Sequence, residues 1–291
     1  VRLAGVYSSN DGFTDNILLR FGTRFGEFEE RQVQFSVSDS LVPDTLGVRL
    51  AGVYSSNDGF TDNILLGNNA DEQTGFAGRA NLVWTPSDAW KVSLTAASSR
   101  TRDDASAYVS IDQDDPFEIV RSDNGEFDLD VDIQSLRVGY EENGFRFTSI
   151  TARSDTDYDY IDFNDDFGTS SISDYAQEII SQEFRLQSPQ DADQFQWIVG
   201  GFFQNRDFRI GDSFEAPFFG INSSVNLSEY DQTTYAAFAQ VDYKPIEPLT
   251  LTAGLRYESW QEELNRNAEM LDTNAELFEF FGLPEPPPHR D

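Results

Sequence analysis

The chain has no cysteine and a single histidine, His289, set in a proline-rich tail. These two shortages remove disulfide frameworks, thiolate metal sites and cysteine nucleophiles. They also argue against a Ser-His-Asp triad, a histidine-ligated zinc or a histidine general base. Basic residues are scarce too: 20 Lys and Arg stand against 52 Asp and Glu in 291 residues, a formal charge of −32. Phosphate binding needs a basic face that releases counterions, so this balance argues against nucleic acid as a partner. Long apolar runs are missing as well. The densest, Ile198-Val199-Gly200-Gly201-Phe202-Phe203, falls far short of the roughly 20 residues of a membrane helix. No signal peptide opens the sequence, which points to a mature form or a fragment. A membrane barrel stays compatible, because alternating strands average to low hydropathy.

Aromatic residues are abundant, at 14% with 25 Phe and 11 Tyr, unlike a disordered acidic chain. One internal repeat stands out: Val1–Leu19 recurs without change as Val48–Leu66. Structural repeats normally drift, so an exact copy seen once indicates a recent duplication or an assembly artefact, not a repeat fold.

Most of the chain alternates apolar and polar residues with a period of two. Leu251, Ala253, Leu255 and Tyr257 oppose Thr250, Thr252, Gly254, Arg256 and Glu258, and Tyr235–Tyr243 repeats the scheme. Similar segments near 29–41, 45–57, 76–86, 89–101, 129–141, 144–158, 175–188 and 196–206, with the first copy of the repeat counted, give about eleven strands of membrane-crossing length. Connections alternate between tight turns, such as Pro86-Ser87-Asp88 and Glu142-Asn143-Gly144, and long polar segments near 9–28, 58–75, 102–128, 159–174 and 210–231. An outer-membrane barrel has this asymmetry, with short periplasmic turns and long outer loops. Rings flank most short turns (Trp84 and Trp90, Tyr140 and Phe145, Trp197, Tyr243), as in an aromatic girdle, although hairpin ends also carry rings for packing.

The pair Ser181-Gln182-Glu183-Phe184-Arg185-Leu186 with Phe195–Phe203 resembles a strand pair of TonB-dependent outer-membrane receptors. So do Tyr235–Tyr243 with Leu251–Glu258, and Val48-Arg49-Leu50-Ala51-Gly52 with Asp58-Gly59-Phe60. The resemblance covers roughly 29–260 and implies a barrel of about 22 strands with a lumenal plug. It also implies an inner-membrane TonB energy-coupling complex as partner, reached through the plug. The expectation is an all-β fold: a partial antiparallel transmembrane barrel, about half complete, with the plug absent. Residues 1–19 are then a duplicate standing in the place of a first strand, 20–260 the N-terminal half of the barrel, and 261–291 a long extracellular loop or truncated tail.

The implied function is import of a scarce nutrient, above all a ferric siderophore, at the outer membrane of a Gram-negative-type bacterium, with no cofactor and no enzymatic activity. A passive porin and a secreted β-rich binding module are the alternatives. Phe208, Phe214, Phe218, Phe219 and Tyr230 are candidate ligand contacts, since flat rings suit large organic ligands. Glu183, Arg185, Arg206 and Arg256 occupy polar strand faces and are expected to face the lumen, holding a plug or lining a channel. Asp155, Asp157 and Asp159 share one face of an extended chain at about 6.6 Å spacing, a weak calcium-like arrangement. Residues 102–128 and 159–174 hold 14 acidic and 2 basic side chains, a net of −12. They would attract cations or bind divalent ions at a lipopolysaccharide surface.

Overall fold

The computed structural model describes residues 18–26, 29–108, 115–142, 144–165, 168–189, 191–216 and 221–273. Its long strands are β1 (Leu18–Phe25), β2 (Arg31–Val42), β3 (Leu46–Asn57), β6 (Gln73–Ser87), β7 (Trp90–Asp103), β9 (Glu126–Glu142) and β10 (Phe145–Asn164). They continue as β11 (Thr169–Gln187), β12 (Phe195–Ala216), β13 (Ile221–Ile246) and β14 (Leu249–Thr273). Three two-residue strands, β4 (Asp62–Asn63), β5 (Asn68–Asn69) and β8 (Glu118–Ile119), lie in the connections. No described residue is helical.

The long strands form one 11-stranded antiparallel sheet in the order β1-β2-β3-β6-β7-β9-β10-β11-β12-β13-β14. Each pairs with the next long strand in the chain, the meander of an up-and-down barrel wall. Register keeps the two faces separate across the sheet. Trp90, Tyr140, Phe147, Leu186, Val199, Ala239 and Leu255 are successive cross-strand partners, so a single apolar row crosses seven strands. One residue along, Lys91, Gly139, Thr148, Arg185, Gly200, Phe238 and Arg256 form the matching row on the opposite face. That row is mostly polar and glycine-rich, and its one ring, Phe238, lies over Gly200.

Among the described residues, no second layer covers the apolar face. The described buried hydrophobic residues are four alanines and Ile119, whereas Leu255 is 78% exposed, Tyr257 70% and Leu94 47%. A water-soluble sandwich would bury such a row against a facing sheet. On β6 the apolar face is bounded by Trp84 at the turn end and Phe76 further out, and on β13 by Tyr243 and Tyr235. Each interval is about 26 Å along the strand, or about 20 Å along the membrane normal after a tilt near 40°. This approaches the apolar band of about 25 Å in an outer-membrane barrel with rings at both boundaries.

The strands are longer than the sequence indicates. β10 and β11 run through most of the expected connection at 159–174, and β12 and β13 through most of 210–231. β14 likewise runs past residue 260, to Thr273, which pairs with Ile221. Residues 261–273 are thus strand. Above the membrane band both faces meet water, so apolar alternation fades while backbone pairing persists. The repeat also divides. Val48–Asn57 of the second copy lies in β3, and its Leu65-Leu66 lies in a turn. The same two residues in the first copy, Leu18-Leu19, open β1 and pair with Val37 and Ser38. Residues 1–17 lie outside the described residues.

Candidate functional site

On the polar face beyond the apolar band, residues that are distant in sequence meet through register. Phe127 lies opposite Tyr160, Tyr158 opposite Tyr175, and Phe208 opposite Tyr230. Their rings pack in two groups, set side by side where Tyr158 pairs with Tyr175. Phe127 and Tyr158 stand edge-to-face at 5.4 Å, and Tyr158 and Tyr160 are stacked at 6.4 Å. Tyr175 meets Phe208 at 4.7 Å, and Phe208 meets Tyr230 at 6.4 Å. The arc spans β9 to β13. Burial, with Asp162 adding to it, pushes the Tyr160 phenol up to about 12. The Tyr230 hydroxyl donates to Glu262 at 2.6 Å.

Arg206 stands at the base of this arc, its Cζ 5.3 Å from the Phe208 ring and 6.0 Å from that of Tyr230. Lower on the same face, the Arg185 Nε donates to Glu183 at 2.5 Å. The Arg256 guanidinium donates to Glu258 at 2.6 Å and lies 5.9 Å from the rings of Phe202 and Phe238. Gly200 is required here: a Cβ would meet the Phe184 carbonyl oxygen at 2.7 Å and collide with the Phe238 ring.

Four of the sequence-derived residues, Glu183, Arg185, Arg206 and Arg256, therefore share the polar face. Phe208 and Tyr230 join Arg206 in one cluster, while Phe214 lies further out on β12, where the register with β13 shifts between Phe214 and Ala216. Phe218 and Phe219 fall outside the described residues. Sequence reasoning missed Phe127, Tyr158, Tyr160 and Tyr175. The usable signal was parity, since each occupies the polar phase of its strand.

The acidic residues occupy the other face. Asp155, Asp157 and Asp159 share the apolar phase of β10 and lie opposite Asp132, Asp130 and Asp128. Arg100 bridges Asp132 at 2.6 Å and Asp130 at 3.3 Å. Arg102 bridges Asp130 at 2.5 Å and Asp128 at 3.0 Å. Arg153 joins Asp155 at 2.8 Å and also holds Glu178. The expected row is thus present, but its carboxylates are spread along a strand and partly neutralised by arginine. Among the described residues, no group of three or more acidic or histidine side chains is arranged to hold a metal ion.

Two connections close over the sheet end. β4 pairs with β5 and, in parallel, with β8, tying 58–72 to 115–125. Asn63, 1% exposed, donates to the Arg121 carbonyl at 3.0 Å and the Asn124 side chain at 2.8 Å, and it accepts from the Arg121 amide at 3.2 Å. Arg121 in turn reaches Asp162 at 3.2 Å, on the face that carries Tyr160. At the base of this clasp, Glu72, Asp103, Asp104, Glu126 and Asp128 with Arg102 line a cavity of about 380 Å³. Burial pushes the Asp103 and Asp104 carboxyls up, and the neighbouring Asp128 charge raises Glu126.

Residues 95–275 match the family model described as TonB dependent receptor-like, beta-barrel. Among solved structures, the chain is similar to the ferric yersiniabactin uptake receptor FyuA of Yersinia pestis, with a TM-score of 0.76 and 17% identity over 88% of this chain and 41% of that one. It is also similar to the ferric citrate transporter FecA in its unliganded form, with a TM-score of 0.61 and 12% identity over 88% of this chain and 38% of that one. The copper transporter OprC gives a TM-score of 0.60 and 14% identity over 87% of this chain and 40% of that one. The chain thus spans about two fifths of the length of these structures.

Proposed function

This chain belongs to the TonB dependent receptor-like β-barrel family, and from that premise we propose that it is part of the barrel wall of an outer-membrane receptor importing a ferric siderophore. The apolar face contacts lipid, and the polar face with Glu183, Arg185, Arg206 and Arg256 lines the lumen. The observation that carries this reading is the aromatic arc on the polar face, beyond the membrane band and beside the loop clasp. A water-filled porin has no use for stacked rings there, whereas a receptor gains contact with a large ring-bearing chelate at small entropic cost. Phe208 and Tyr230 are the central contacts, with Phe214 further out on β12, and Phe218 and Phe219 are further candidates from the sequence. Two of the three relatives named above are described as handling ferric ligands and the third copper, which supports a metal-chelate cargo.

Uptake against a gradient requires the TonB complex as partner, engaged by a plug region outside this chain. The protein acts as a transport receptor, with no catalytic step. The outer-wall carboxylates, including Asp155, Asp157 and Asp159, face the lipopolysaccharide headgroups and associate with their bridging cations in preference to one discrete calcium site. Deleting the gene for the full-length protein tests the assignment under iron limitation, with radioactive iron uptake as the readout. Loss of uptake of at least one ferric chelate is expected, and unchanged uptake of every chelate tried would contradict it.

A further inference from the structure

The polar face divides into two sectors of different charge. On β11 to β14 cations and acids are matched: Arg185 has Glu183, Arg256 has Glu258, and Glu262 shares a row with Arg206. The same rows of β3, β6, β7 and β9 carry Arg49, Arg79, Lys91 and Arg137 and no carboxylate. Arg79 donates to the Asn81 side chain at 3.2 Å, and among the described residues none of the four enters an ion pair. Further out, Arg100, Arg102, Arg121 and Arg153 each hold a carboxylate. Although the chain has 52 acidic and 20 basic residues, the wall does not supply the counter-charge of this sector.

The four cations form two diagonal pairs, Arg49 with Arg79 and Lys91 with Arg137, each about 7–8 Å apart at the backbone. The second pair encloses a space. Lys91 lies opposite Gly139 and Arg137 opposite Ser93, so Gly139 puts no side chain between the cations. Lys91, Ser93 and Arg137 line a cavity of about 260 Å³ there. Val92, Leu94, Leu136 and Val138 alternate with them onto the apolar face, and Glu141, the next carboxylate along β9, lies opposite Arg146. Like charges this close repel, and an anion seated between them removes that cost.

We propose that Lys91, Ser93 and Arg137 form a carboxylate-binding site on the turn-side half of the inner wall. The donor set suits that ligand: the planar Arg137 fork matches two carboxylate oxygens, Lys91 adds a compact charge, and Ser93 adds a hydroxyl donor. Arg49 and Arg79 extend the positive field across the neighbouring strands and draw an anion towards the cleft. The carboxylate comes from the lumen, on a polypeptide segment that fills it or on a soluble ligand that passes through it. This inference rests on the reading that the polar face lines the lumen.

The test is cross-linking of the full-length protein in lipid vesicles with a water-soluble carbodiimide, which joins a lysine amine to a touching carboxylate as an amide. These 291 residues hold two lysines, Lys91 and Lys244, so each product on the wall is assigned by tryptic mass spectrometry. One arm uses the protein alone, and the other adds citrate as the soluble carboxylate probe. Lys91 joined to a carboxylate outside the barrel wall in the first arm identifies a segment of the protein as the source. Citrate attached to Lys91 in the second arm alone identifies a soluble ligand. In either case Arg137→Gln is expected to cut the yield about tenfold, the worth of one charge-assisted hydrogen bond, and Arg137→Lys to cut it less. Arg137→Lys also serves as the second variant should the glutamine form fail to fold. No product on Lys91 in either arm, coupling to Glu141 alone, or a yield unchanged in Arg137→Gln would overturn the proposal. Oxygen and nickel collision at spin labels along Leu251–Glu258 judges the lumen reading separately. Alternation there without a product on Lys91 rejects the site alone, whereas lost alternation rejects the lumen reading.

Discussion

Leu94 offers a direct way to ask what covers the apolar face. It lies opposite Leu82 and Leu136, is 47% exposed, and stands about 13 Å along β7 from Trp90. That places it near the middle of the band bounded by the turn-side rings and the level of Phe76. An arginine at the midplane of a barrel's lipid face costs about 2–4 kcal/mol, against at most about 1 kcal/mol near the interfaces. Leu94→Arg should therefore lower the folded-to-unfolded ratio by roughly 30- to 1,000-fold, at about 1.4 kcal/mol per factor of ten. Thr95→Arg changes the next residue, on the polar face, and should cost less than about 1 kcal/mol. The assay is urea unfolding of the full-length protein in lipid vesicles, with the change in gel mobility between folded and heat-denatured forms as readout. Equal destabilisation by the two substitutions, or a larger cost for Thr95→Arg, would refute the assignment of faces.

Asn63→Ala should cost about 1–3 kcal/mol of local clasp stability, because it strips partners from buried backbone groups of Arg121; faster amide exchange in 60–72 and 115–125 would register it. Gly200→Ala should displace the Phe238 ring and lower the urea midpoint by an amount equivalent to about 1–3 kcal/mol, whereas an unchanged midpoint would mean the contact relaxes freely. The raised carboxyls of Asp103, Asp104 and Glu126 penalise the charged folded clasp at neutral pH. That penalty is present above their folded values and disappears as pH falls through them towards ordinary carboxylate values. Amide exchange at Glu72 and Thr74, corrected for intrinsic rates, is therefore expected to slow as pH is lowered from neutrality towards the ordinary carboxylate range, and acceleration would contradict the linkage. Phe208→Ala should weaken ligand binding without changing the far-ultraviolet spectrum, as a ring on an open face supports the ligand more than the wall.

The meander was legible from the sequence because apolar alternation and tight turns are local signals. Leu251, Ala253, Leu255 and Tyr257 share one face in the sheet, as their spacing requires. The outer ends were not legible. At Gln261–Asn267 both faces are polar apart from Leu264, so period-two alternation disappears although every residue still pairs with β13. The candidate site was half visible. Phe208 and Tyr230 were recognisable as aromatic, but Tyr158 and Tyr175 became part of the same arc only through the register of β10 with β11. Arg206 looked equivalent to Arg185 and Arg256 in sequence. Its difference is the absence of a neighbouring acid at two-residue spacing, a signal that a closer reading of parity would have caught.

The absence of cysteine makes the central claim, that one face meets lipid and the other the lumen, open to single-cysteine scanning. Cysteine placed in turn at Leu251 through Glu258 of the full-length protein in vesicles, then spin-labelled, reports collision with lipid-soluble oxygen against a water-soluble nickel chelate. The account predicts strict alternation, with oxygen favoured at Leu251, Ala253, Leu255 and Tyr257 and nickel at Thr252, Gly254, Arg256 and Glu258. Uniform nickel access at all eight positions would contradict it.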